Sequence, residues 1–137
     1  MPVSLDPKVR AFLEEKRFGV LATVNRDGTA QQTVMWYELR DGHVMMNTAR
    51  GRTKDRNLLR DRRISICVED GTRFVTIAGT AELNDDQDVA QADIKALATR
   101  YDGAAHAEKV SAESFSKQHR ITVILPIEQV IAHGFDD

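Results

Sequence analysis

The run GVLATVNRDGTAQQTVMWYELRDGHVMMNT, Gly19 to Thr48, decides the architecture. Gly19 to Val24 is short and β-rich, and Asn25-Arg26-Asp27-Gly28 is a turn. Thr29 to Leu39 reads as a long strand, Arg40-Asp41-Gly42 as a second turn, and His43 to Thr48 as a third strand. Asp-Gly supplies the positive φ angles that tight hairpin turns require. The pair recurs at Asp70-Gly71, between strand-like runs at Ile64 to Val68 and Phe74 to Leu83. Three Asp-Gly pairs flanked in this way predict an antiparallel meander.

Working outward, Gly79 lies inside the fifth strand, where glycine marks a bulge or the sharp bend of a barrel corner. A sixth strand, Ile121 to Leu125, meets Pro126 before a second run at Val130-Ile131, so a kink or edge position is expected there. The sum is a mainly β chain with short helices, arranged as a six-stranded antiparallel barrel, closed or nearly so. Asp6-Pro7 pairs an N-cap with proline at the first helical position, predicting a helix from Pro7 to about Lys16 with Val9, Phe12 and Leu13 inward. A second helix is expected over Thr53 to Arg60. A third is expected from about Asp86 to Tyr101, with Val89, Ala92, Ala96, Leu97 and Tyr101 on one face. Asp85, Asp86 and Asp88 sit at its start, where the helix dipole favours negative charge. Gly103 to Lys109 reads as a mobile loop and Ser111 to Lys117 as a further short helix. With 137 residues, and no repeat, linker or low-complexity tract, a single domain over residues 1–137 is expected.

Nineteen Lys and Arg face 21 Asp and Glu, a formal net charge of −2, which does not favour general nucleic-acid binding. No apolar run approaches the roughly 18–20 residues of a membrane span, and residues 1–10 lack the basic-then-apolar order of a secretion signal. Cys67 is the only cysteine, so no internal disulfide forms, which fits a reducing compartment; a cytoplasmic protein is expected. A chain this short gains an enclosed site most readily by dimerising and placing it between subunits.

The basic residues are unevenly spread. Arg50, Arg52, Lys54, Arg56, Arg60, Arg62 and Arg63 crowd one stretch, opposed only by Asp55 and Asp61. The segment Asn47 to Asn57 (NTARGRTKDRN) ends a strand and opens a helix, whose first backbone N–H groups are unpaired and carry partial positive charge. Arg50, Arg52, Lys54 and the Thr53 hydroxyl make it a candidate phosphate site. A basic cluster on a short exposed helix is otherwise a solvated face. Neither G-x-G-x-x-G nor G-x-x-x-x-G-K-[ST] is present, so neither a dinucleotide fold nor a P-loop is indicated.

At this segment the chain resembles the split-barrel flavin-binding superfamily that includes pyridoxamine 5′-phosphate oxidase, and within it the branch that uses the deazaflavin coenzyme F420. The matching pieces are F-G-V-L-A-T-V (Phe18 to Val24), Asp27-Gly28, the strand Gln31 to Tyr37, Asn47-Thr48, and the R-x-K-x-x-N run of Arg52, Lys54 and Asn57. N-L-x-R-D-x-R (Asn57 to Arg63), G-T-A-E-L (Gly79 to Leu83) and L-P-I (Leu125 to Ile127) complete them, in an order covering Val9 to Val130. The resemblance implies a homodimer with cofactor at the subunit interface. It implies that Arg52, Thr53 and Lys54 hold the phosphate, that Asn47 and Thr48 approach the ribityl chain or ring, and that Gln32, Thr33, Val34 and Met35 line the ring. Asn57 either binds the phosphate or caps a turn. Arg50 and Arg56 are candidates to meet the polyglutamate tail of F420. The stretch Thr33-Val34-Met35-Trp36-Tyr37-Glu38 departs from the R-x-V-L-L-K of vitamin B6 oxidases, and their C-terminal substrate-binding extension is absent, so vitamin oxidation is not expected.

Trp36 and Tyr37, adjacent on a strand, point to opposite faces, one into the core or an interface and the other toward a ring. Met35, Met45 and Met46 read as core filler. Cys67, between Ile66 and Val68, reads as buried and inert. His43, His106, His119 and His133 show no metal-ligand spacing, no metal is expected, and no catalytic side chain is assigned. The expected function is hydride transfer between reduced F420 and a small conjugated organic substrate. The alternatives are an FMN-dependent oxidase or reductase of the same fold, or a non-catalytic flavin-, F420- or haem-binding protein, with His43 or His119 as a haem ligand.

Overall fold

The computed structural model describes residues 3–135. Helix α1 (Pro7–Glu14) starts as its sequence dictates: the Asp6 carboxylate accepts from Lys8 N at 2.9 Å, and Val9, Phe12 and Leu13 are buried. The strands follow as β1 (Gly19–Val24), β2 (Ala30–Met35), β3 (Glu38–Arg40) and β4 (His43–Ala49). Helix α2 (Thr53–Arg60) leads to β5 (Arg63–Glu69), β6 (Phe74–Thr80) and β7 (Glu82–Asn84). Helices α3 (Gln87–Asp102) and α4 (Ala104–Glu113) and a 3₁₀ turn (Phe115–Lys117) precede β8 (Arg120–Pro126) and β9 (Gln129–His133). All pairings are antiparallel. One sheet has the order β2-β1-β5-β6-β9 and the other β3-β4-β8-β7.

Among the described residues, nine strands therefore stand where six are expected. The difference is that three long strands each bend and change sheets: β2 passes into β3 at Trp36-Tyr37, β6 into β7 at Ala81, and β8 into β9 at Ile127-Glu128. Such corners join two packed sheets around a common core. Two of them touch. A Cβ added at Gly79 would lie 2.9 Å from the Pro126 carbonyl oxygen, so glycine is required where these backbones cross. The turn glycines Gly28, Gly42 and Gly71 have φ of +90°, +78° and +94°, as the Asp-Gly reading requires. The main core fills the space between the sheets with Phe12, Leu21, Tyr37, Met46, Ile77 and Leu125 among its members. A smaller cluster of Met45, Ile94 and Leu97 packs α3 onto the outside of β4, with Trp36 and Phe115 at its margin.

Four expectations need correction. Residues Gly103 to Lys109 are not a loop. Gly103 (φ +92°) ends α3, but the alanine-rich Ala104–Glu113 that follows carries no breaker and forms α4 at once, with His106 on it, 3.9 Å from Asp102. The buried face of α3 is Ala90, Asp93, Ile94, Leu97, Ala98 and Tyr101, while Val89 is 41% exposed and Ala92 is also exposed. Asp93 can lie inside because Arg40 donates to one of its oxygens at 2.9 Å and Thr122 to the other at 2.7 Å. Trp36 and Tyr37 lie at a corner rather than within a strand. Tyr37 is fully buried, donates to Leu13 O at 2.9 Å, and has its phenol pushed up to about 12, chiefly by burial. Cys67 is half-buried on the outer face of β5, because Ile64, Ile66 and Val68 take the core side. Met35, Met45 and Met46 are buried.

Candidate functional site

The site grows from the β4–α2 connection. Beyond His43, every residue of β4 is buried, because the strand has β3 and β8 on its flanks, the main core under Val44, Met46 and Thr48, and α3 over Met45 and Asn47. The chain then turns at Gly51 (φ +93°), a conformation open to glycine. Asp55 fixes this turn: its carboxylate accepts from Gly51 N at 2.7 Å and from Arg50 at 3.1 Å. Arg52 is the N-cap of α2 and makes no side-chain cap bond, so the helix opens with its first N–H groups uncapped by that side chain.

Beside this helix start lies a cleft of about 280 Å³. Its floor and one wall come from Thr33, Val34 and Met35 at the end of β2 and from Trp36 at the corner; Asn47 of β4 and the α3–3₁₀ surface (Ile94, Leu97, Phe115) close the other side. Because β2 is an edge strand, alternate backbone groups face away from β1 and are free to bond a ligand. Trp36 is stacked on Tyr101, with centroids 5.3 Å apart and planes 11° off parallel, so its indole is held in place.

Three cations complete the lining: Arg52, Lys54 and Arg120. Lys54 is 8% exposed, and among the described residues it has neither a hydrogen-bond partner nor an ion pair. Arg120 is 4% exposed and bonds only neutral amide oxygens, Asn47 Oδ1 at 2.9 Å and Gln118 Oε1 at 2.8 Å. Burial first, then the charges of Arg52 and Arg120, hold the Lys54 ammonium below its ordinary value. Burial, then Arg52, brings Arg120 down to about 10. Among the described residues, no carboxylate lines the cleft. Buried positive charge without a counter-charge is costly, and an anion relieves it.

The structure sorts the sequence-derived candidates. Thr33, Val34, Met35, Asn47, Arg52 and Lys54 line the cleft together. Gln32 is exposed on β2, opposite Ala22. Thr48 points to the core face of β4, and its buried hydroxyl has no partner among the described residues. Arg50 is bound to Asp55 and, at 3.2 Å, to Asp85. Thr53 is exposed, accepting weakly from Arg56 at 3.4 Å. Asn57 donates to Thr23 and Asn25, both at 3.0 Å, and accepts from Arg60 at 2.7 Å, tying α2 to β1 and its turn. Asn57 lines a different, wider cleft of about 570 Å³ with Asn25, Arg26, Arg56, Leu59 and Arg60. The arginines there are exposed, so hydration already meets their charge, and the smaller cleft holds the stronger demand for an anion.

Sequence reasoning missed Arg120, together with Ile94, Leu97 and Phe115. Its one available signal was a lone cation opening the apolar run Ile121 to Leu125. Arg120 reaches Asn47 because β8 pairs with β4, placing Arg120 opposite Ala49. Among the described residues no group of three or more His, Cys, Asp or Glu is placed to hold a metal, and no helix is long and apolar enough to cross a membrane.

A sequence model of pyridoxamine 5′-phosphate oxidase matches residues 5–132. Among solved structures, a conserved hypothetical protein from Mycobacterium tuberculosis is 27% identical with a TM-score of 0.80, over 96% of this chain and 85% of that one. An F420 reductase is 24% identical with a TM-score of 0.72, over 89% and 94% of the two chains. A haem storage protein from Vibrio cholerae is 18% identical with a TM-score of 0.71, over 97% of each. The last two likenesses establish the fold.

Proposed function

Since the chain belongs to the pyridoxamine 5′-phosphate oxidase family of split-barrel proteins, we propose that it is an F420-dependent oxidoreductase acting on a small conjugated organic substrate. The observation that carries this reading is the cleft in which Arg52, Lys54 and Arg120 converge without a carboxylate beside an edge strand and the Trp36 indole. The residues fit the group. A phosphate would supply the counter-charge that Lys54 lacks, bonded by two guanidinium forks and an ammonium. The ring would lie along Thr33 to Met35, where the free edge of β2 offers backbone donors and acceptors. When bound, the deazaflavin supplies the hydride chemistry; the protein's part is to hold and orient it and to exclude water. Ile94, Leu97 and Phe115 provide the apolar wall for that exclusion.

F420 is preferred over FMN because arginines without a carboxylate partner continue along α2. Among the described residues, Arg56 and Arg60, with Arg26, bond no carboxylate, and they line the wider cleft. A polyglutamate tail gives them partners, whereas FMN ends at its phosphate. We assign Arg56 rather than Arg50 to the tail, because Arg50 is already paired with Asp55 and Asp85.

The reading counts β2–β3, β6–β7 and β8–β9 each as one bent strand of a six-stranded barrel, and it extends to a cytoplasmic, single-domain homodimer. Support for the dimer is the apolar outer surface beside the cleft, where Phe18 is 60% and Val34 64% exposed. A second copy there would narrow the mouth of each site.

Parallel fluorescence titrations with F420 and FMN test the proposal, using wild type and Arg120→Met. F420 is expected to bind more tightly. The variant is expected to lose about 1.5–3 kcal/mol of affinity, the range for a charge-assisted bond. Tighter FMN binding would favour an FMN-dependent oxidase or reductase. Unchanged affinity in the variant would remove the site from this cleft.

A further inference from the structure

The six lysines of this chain are Lys8, Lys16, Lys54, Lys95, Lys109 and Lys117. Lys8, Lys16, Lys109 and Lys117 are exposed, and Lys95 is paired with Glu108. Lys54 alone is buried, at 8% exposure, and it faces a cleft wide enough for a small aromatic ligand. We propose that Lys54 is a nucleophilic amine that captures conjugated aldehydes bearing a phosphate or carboxylate as imines, a covalent modification site within the cleft.

Three features of the structure converge on this chemistry. An amine attacks a carbonyl only through its lone pair, so a reactive lysine sits where protonation is disfavoured, in a desolvated pocket or beside another cation. Lys54 has both conditions: it is buried, and Arg52 and Arg120 line the same cleft with no carboxylate among them. The depressed ammonium follows from this geometry. The same two guanidiniums would hold the anionic group of an incoming aldehyde, and the faces of Trp36 and Phe115 would receive its conjugated part. Local concentration and orientation then favour attack by the neighbouring amine.

The step balances without any oxidant or reductant. The Nζ lone pair of Lys54 adds to the carbonyl carbon, forming the C–N bond. The carbonyl oxygen departs as water, taking both amine protons, and a C=N bond remains; hydrolysis reverses it. The step belongs to the coenzyme-free protein, because a bound coenzyme's phosphate would occupy the same two guanidiniums and hold Lys54 as its ammonium.

The test treats the full-length protein at neutral pH with para-formylbenzoate or its uncharged methyl ester, traps imines with sodium borohydride, and maps adducts by peptide mass spectrometry. Lys54 is expected to be labelled by the carboxylate probe about tenfold faster than any other lysine, and about tenfold faster than by the ester. Lys54→Arg, checked for folding by circular dichroism, is expected to lose the fast adduct. Labelling spread evenly over the exposed lysines would overturn the proposal, as would equal rates with acid and ester. Site occupancy in the wild type decides the matter even if the variant does not fold.

Discussion

Replacing Lys54 by Met is expected to make the ligand-free protein more stable while weakening its hold on an anion. The stem of Lys54 is buried and methionine nearly reproduces it, so packing is largely kept and only the charge is removed. An uncompensated buried charge costs several kcal/mol when fully enclosed. Lys54 borders an open cleft, so about 1–2 kcal/mol is the appropriate share. For a chain of this length, 1 kcal/mol moves the melting temperature by about 4 °C, giving an expected rise of about 4–8 °C in phosphate-free buffer.

The sign with pH follows from the lowered ammonium. Below its folded-state value Lys54 is charged in both folded and unfolded chains, and the penalty is present in full. As pH climbs through that value toward the ordinary 10.5, the folded protein sheds its proton first and wild type regains stability. The gap between variant and wild type should therefore narrow as the solution is made alkaline. Scanning calorimetry across pH, with and without F420, measures each part. Ligand should raise the wild-type melting temperature by mass action and the variant's far less, since its affinity falls roughly 10- to 150-fold. Most core substitutions destabilise. A variant less stable than wild type without ligand, or an equal ligand-induced rise in both proteins, would refute the claim that Lys54 is an unneutralised charge awaiting an anion.

Thr48→Val removes a buried hydroxyl that has no partner among the described residues and keeps its shape, so a gain of about 1 kcal/mol in urea denaturation is expected; weakened F420 binding would instead place that hydroxyl in the site. Asn57→Ala breaks the bonds from α2 to Thr23 and Asn25 and is expected to cost about 1–3 kcal/mol of stability. Its FMN affinity, once folded, should stay within about twofold, since FMN ends at its phosphate and Asn57 is off the cleft that holds Lys54. Gly79→Ala drives a methyl to 2.9 Å from the Pro126 carbonyl and 3.1 Å from Glu128, and about 1–3 kcal/mol should be lost in chemical denaturation.

Much of the molecule is decided by short-range rules and so can be read along the chain. Asp-Gly fixes hairpins because positive φ is a property of one residue, and the glycines at 28, 42 and 71 adopt it. Helix α2 falls on the expected Thr53–Arg60, and α1 begins at its proline behind the Asp6 cap, because caps and breakers act within one turn. The concentration of positive charge from Arg50 to Arg63 is likewise a fact of sequence. What that charge does is not. Arg50 is neutralised by Asp85 and Arg63 by Asp61, while Lys54 acquires burial and Arg120 as company, and only long-range pairing brings those partners together. The burial of Asp93 on α3 and the three corners that turn six strands into nine have the same origin. Conformational preference is a local energy, whereas desolvation and Coulomb energy depend on whatever the fold places alongside. The helix was therefore legible from its own residues, and the anion-seeking cleft beside it was made only when β8 paired with β4.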